Sequence, residues 1–152
     1  MIPAVMAIDP GVNGGIAIID SNRVPYYLLG LKSSMSQREL VYAVRDAADA
    51  LSGLGSKVCY IEKVGYMPRD GGKGANTFGR VDGLLRGAAL AYELELREVS
   101  PVLWQSKLNC LSGGNKNVTK YKAQELFPNI KGITHATADA LLIAFYGVST
   151  LG

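Results

Sequence analysis

The sequence predicts an α/β fold built on a five-stranded mixed sheet, in which an antiparallel meander is continued by parallel strands and flanked by helices. Three observations lead there. Residues 4–9 and 15–19 are apolar runs of strand length separated by Pro10, Gly11, Asn13 and Gly14, which reads as a β-hairpin; residues 23–30 add a third strand beyond the Asp20-Ser21-Asn22 turn. Helical spacing then takes over: Ser36 to Glu39 forms a capping-box pattern, Leu40, Val41, Val44, Ala47, Ala48 and Leu51 recur on one face, and Gly53 and Gly55 end the helix. The strand at 57–62 is reached through that helix, and such a crossover makes it parallel to the first. With 152 residues, 48% hydrophobic and 19% charged, the chain suits one domain with its own core.

The remaining elements follow in order. Residues 65–79 hold five glycines and a proline and read as a surface loop. A helix is expected over 80–95, with Leu84, Leu85, Ala88, Ala89, Ala91 and Tyr92 on its apolar side. Gly83 and Gly87, four apart, would allow close approach of a neighbour, most simply inside the monomer and alternatively across a dimer. A short strand at 96–99 precedes a short helix opened by Ser100 and Pro101. Residues 111–117 form a second loop, 118–127 a helix with Lys120 and Lys122 on its outer face, and the last helix runs from near Thr134 to about Tyr146.

Composition removes several classes of function. No apolar run reaches the ~18 residues of a membrane helix, and the N-terminal residues lack a signal-peptide pattern, so a soluble, cytoplasmic protein is expected. Cys59 and Cys110 lack metal or redox spacing and read as buried free thiols. A dinucleotide fingerprint is excluded because residues 16–19 continue as strand where that motif opens a helix, so no nucleotide cofactor is expected. The net charge of +3 is small but unevenly placed. Lys63, Arg69, Lys73, Arg80 and Arg86 face only Asp70 and Asp82 in one window, and Lys107, Lys116, Lys120 and Lys122 share another with no acid. Such windows suit phosphate binding or a solvated basic face.

Four residues carry candidate chemistry. Asp9 ends the first strand beside a glycine turn, which suits a metal ion or phosphate and equally suits a turn opener. Glu62 repeats that position on a second core strand, and ligands of open α/β sheets bind at this edge. His135 and Asp139 are one turn apart on the last helix. Asp139 sits among Ala136, Ala138, Ala140, Leu141, Leu142 and Ala144, so it needs a partner or a metal once buried. His135 has a plainer reading as a cap or surface residue.

The stretches Ile8-Asp9-Pro10-Gly11 with Gly14-Gly15, Tyr60-Ile61-Glu62-Lys63, Pro101 with Trp104 and Lys107, and His135 followed by Asp139-Ala140-Leu141-Leu142-Ile143-Ala144 stand in one order along the chain. In that order they resemble the ribonuclease H-like superfamily, and within it the RuvC-like Holliday junction resolvases of the phage and chloroplast type. The bacterial enzymes usually place two ligands three residues apart on the last helix; here that earlier position is Ala136, and the chloroplast-type pattern of His followed by an acidic residue implies that His135, four before Asp139, takes the role.

The resemblance implies a metal-dependent endonuclease that cuts four-way DNA junctions. Its catalytic and metal-binding residues would be Asp9, Glu62, His135 and Asp139, holding two Mg²⁺ or Mn²⁺ ions per site. It implies DNA contacts from Lys63, Tyr66, Arg69, Lys73, Phe78, Arg80, Lys107, Lys116, Lys120 and Lys122, with Tyr66 and Phe78 stacking on bases at the crossover. A homodimer is also implied. The competing readings are a ribonuclease H-fold nuclease for flapped or branched DNA or RNA–DNA hybrids, and a non-catalytic binder of branched DNA.

Overall fold

The structure, a computed structural model, describes residues 2–63 and 71–151. Its sheet has the strand order β3-β2-β1-β4-β5, formed by β1 (Val5–Asp9), β2 (Gly15–Ile19), β3 (Pro25–Gly30), β4 (Val58–Glu62) and β5 (Glu95–Val99). β1, β2 and β3 form the expected antiparallel meander, and β4 runs parallel to both β1 and β5.

Alternation along the strands feeds two cores. Val5 and Ala7 of β1 face one side with Tyr60, Trp104 and the last helix. Met6 and Ile8 face the other, against α1 (Gln37–Gly53) and α2 (Gly71–Ala91). The first side is covered by α3 (Pro101–Lys107), α4 (Lys116–Leu126) and α5 (His135–Leu151). Ser36 caps α1 as its sequence predicts: its hydroxyl accepts from the Glu39 N–H at 3.1 Å, and Glu39 accepts from the Ser36 N–H at 3.3 Å. Among the described residues no helix is long and apolar enough to cross a membrane.

Two sequence expectations are corrected. The loop expected at 65–79 is helical from Gly71 onward, as the first turns of α2. Glycine lowers helix propensity by about 1 kcal/mol per residue, a local penalty that packing overrides; Thr77 and Phe78 lie against the β1–β2 turn at Val12, and Val81 is buried beyond them. Gly83 and Gly87 do not pack inside the monomer, since a Cβ added to either meets nothing within 4 Å. Tyr66 and Arg69 lie outside the described residues.

Candidate active site

Asp9 is the last residue of β1 and Glu62 the last of β4. The two parallel strands are in register through Ile8 and Ile61, so both carboxylates leave the same sheet edge side by side. Parity then sets their direction. Val5 and Ala7, like Val58 and Tyr60, belong to the core under α5, and Asp9 and Glu62 lie two residues further along each strand on that same side.

A close backbone approach brings α5 to them. Gly15 pairs with Asp9 across the hairpin, and a Cβ on Gly15 would collide with the carbonyl oxygen of Ala136 in the first turn of α5. Glycine alone admits this contact without displacement. Asp139, one turn further along α5, is thereby carried to the carboxylates of β1 and β4.

The electrostatics show that the three acids share one environment. Burial pushes the Asp9 carboxyl well above the usual range, and the nearby Glu62 and Asp139 carboxylates push it further. Glu62, only 7% exposed, is raised to about 7, again chiefly by burial. The bond from Trp104 opposes that rise: its Nε1–H donates to Glu62 Oε2 at 2.7 Å and leaves the other oxygen for a ligand. Asp139 is raised by burial and held down by Thr119, Lys116 and His135. Lys116 lowers all three, which makes it the cation facing the cluster.

These carboxylates fit a divalent cation. Asp139 Oδ1 is buried without a hydrogen-bond partner, and among the described residues none of the three acids is in an ion pair. Oxygen donors left in this condition suit Mg²⁺, and an added imidazole suits Mn²⁺. Among the described residues no three His, Cys, Asp or Glu side chains already meet in a ligating cluster.

The fourth expected ligand stands at the head of the helix that carries Asp139, and it holds the Asp139 carboxyl down. His135 opens α5 and is exposed, with its Nε2 3.0 Å from Asn117 Oδ1.

Among the described residues, Lys116 is the expected phosphate contact whose charge reaches all three acids. Lys63 follows Glu62 directly and is exposed. Lys73, Thr77 and Phe78 line a shallow cleft with Val12, in the turn that follows Asp9, and Arg80 lines an adjoining one with Lys32. Lys107 is exposed at the end of the helix that carries Trp104. Lys120 is half-buried one turn beyond Lys116 on α4. Lys122 pairs with Glu125 at 3.7 Å and also faces Cys110, whose thiol burial raises and Lys122 lowers. The sequence reading missed Lys32, Asn117 and Thr119, and saw Lys116 only as a phosphate contact. It named Trp104 without its partner; the one tryptophan of the chain, five residues past the end of β5 at Val99, was the available signal.

No family model and no curated protein matches the chain. Solved structures do, and the fold they share with this chain is that of RuvC. RuvC of Thermus thermophilus, in complex with a Holliday junction substrate, aligns with a TM-score of 0.68 at 18% identity, over 95% of this chain and 91% of that one. The yeast mitochondrial Holliday junction resolvase Ydc2 aligns with a TM-score of 0.60 at 12% identity, over 99% of this chain and 80% of that one.

Proposed function

We propose that this chain is a structure-selective endonuclease that resolves four-way DNA junctions by paired, metal-dependent phosphodiester hydrolysis. The observation that carries the reading is the convergence of Asp9, Glu62 and Asp139, three carboxylates without ion-pair partners among the described residues, from two strands and a helix onto one sheet edge. The junction as substrate draws support from the RuvC structure, whose fold this chain shares and which was solved with that DNA.

Two Mg²⁺ or Mn²⁺ ions, when bound, would activate water for in-line attack and stabilise the departing 3′ oxygen. Asp9, on which both other acids act, would hold the ions together with Glu62 and Asp139. Glu62 is oriented by Trp104, so its free oxygen is presented at a fixed angle. Asp139 supplies its partnerless Oδ1, and His135 an imidazole nitrogen. Lys116 sets a positive charge beside the acids, where the scissile phosphate would lie. Lys63, Lys73, Arg80, Lys107, Lys120 and Lys122 neutralise flanking phosphates, as Arg69 would, while Phe78 and Tyr66 stack on unpaired bases.

A four-way junction has two-fold character and needs two cuts, so the active species is a C2 homodimer. The outward face of α2, with Gly83, Gly87 and the 61%-exposed Leu90, is the surface for it.

The test is a Mg²⁺ and Mn²⁺ titration with four-way, flapped and RNA–DNA hybrid substrates. Wild-type protein should cut the four-way junction symmetrically and in preference to the others. Asp9→Asn should lose at least ~10²-fold in cleavage rate, the scale of removing one electrostatic group from an active site, and keep its junction affinity. Preference for the hybrid would favour the ribonuclease H reading, and binding without cleavage the non-catalytic one.

A further inference from the structure

His135 is the sole histidine of the chain, and one side chain holds it. Its Nε2 lies 3.0 Å from Oδ1 of Asn117, eighteen residues earlier in sequence, and both residues are exposed. An exposed pair drawn together across that separation is kept there by the way α4 packs on α5.

Asn117 is itself fixed. It stands in the first turn of α4, where its N–H donates to the side chain of the N-cap residue Asn115 at 3.0 Å. The same turn carries Lys116 on one side of it and Thr119 beyond, both of which act on Asp139. The head of α4 thus meets the head of α5 through three contributions within one turn: a cation, an amide and a hydroxyl.

With its oxygen turned toward the ring, the Asn117 amide gives the contact one polarity. An amide oxygen has no proton to give, so the imidazole must donate Nε2–H, and a neutral ring protonated at Nε2 keeps its lone pair on Nδ1. We propose that Asn117 is a positioning residue, whose amide oxygen locks His135 in the Nε2–H form and so makes Nδ1 the nitrogen offered to a divalent cation. Orientation of a ligating imidazole through its second nitrogen is the general way in which such a residue gains affinity and geometry. The inference rests on the proposed role of His135 as a ligand, and its test separates the two.

Because there is a single histidine, nitrogen-15 correlation spectra of the metal-free protein report one imidazole without assignment ambiguity. At about pH 8, above the ordinary imidazole range, wild type should show a protonated Nε2 with slow solvent exchange and an unprotonated Nδ1. Added Mn²⁺ should broaden Nδ1 before Nε2. Asn117→Ala should speed exchange of the Nε2 proton and raise the metal concentration for half-maximal junction cleavage by roughly 10- to 100-fold, with the melting temperature unchanged. Asn117→Asp, which keeps the acceptor oxygen, should restore both properties.

A proton found on Nδ1, or Mn²⁺ broadening Nε2 first, would overturn the proposal while leaving the nuclease reading intact. Absence of broadening at either nitrogen would overturn it as well, by removing His135 from the ligands. The correct tautomer and selective Mn²⁺ broadening in a protein that cuts no DNA would instead uphold the proposal and defeat the nuclease reading.

Discussion

Glu62 is a carboxylate whose ionised form the folded chain disfavours, and this makes its protonation a reporter of folding. Its pKa rises from 4.5 to about 7 in the folded state, so between those values the folded protein binds a proton that the unfolded chain has released. Stability therefore falls as pH rises from about 4.5 to about 7, by on the order of 3 kcal/mol from this residue, and Asp9 and Asp139 shift in the same direction. A divalent ion favours the ionised forms and offsets the loss, so Mg²⁺ should raise the melting temperature more at about pH 8 than at about pH 5. Glu62→Gln, which keeps an acceptor for Trp104, should flatten the metal-free profile; an unchanged slope would show that Glu62 does not carry the proton. At this scale the sequence was partly legible. Asp9 and Glu62 could be read because each ends an apolar strand, so position alone marks it. The bonds of Glu62 to Trp104 and of His135 to Asn117 span 42 and 18 residues and depend on how helices land on the sheet, which no local pattern records.

Between elements, the geometry of the site is set where α5 crosses the β1–β2 hairpin. Gly15 and Gly147 are both positions at which a Cβ would strike a neighbour, the first the Ala136 backbone and the second Tyr60 and Val5 at 2.8 Å. Gly15→Ala must push α5 away from the hairpin, which carries Asp139 and His135 away from Asp9. The expected result is a loss of about 1–3 kcal/mol in stability, the usual scale of overpacking, together with lost cleavage that added Mg²⁺ restores only in part. Gly53→Ala is the control, because a Cβ there meets nothing within 4 Å; it should leave stability unchanged or raise it slightly. Equal melting temperatures for the two variants would contradict the close approach. The same competition between local and tertiary effects explains what the sequence hid. Ser36 and Glu39 announce α1 because their bonds are local, whereas Gly71, Gly72 and Gly74 argue against the helix that contains them.

At the scale of the whole molecule, α2 presents an exposed face with room for a partner. Asn76, Gly79, Arg80, Gly83, Gly87 and Leu90 are exposed on it, and the glycines leave room for a partner's backbone to approach closely. A second copy seated there would place two sets of acids in one two-fold arrangement, as a four-way junction requires. Gly83→Arg adds bulk and charge to this surface without touching Asp9, Glu62 or Asp139. Sedimentation should show wild type as a dimer and Gly83→Arg as a monomer with an unchanged melting temperature. On a junction the variant should then nick one strand at a time, where wild type should make paired cuts in a single binding event. If Gly83→Arg stays dimeric, or wild type resolves junctions as a monomer, the two-fold assembly does not form through α2.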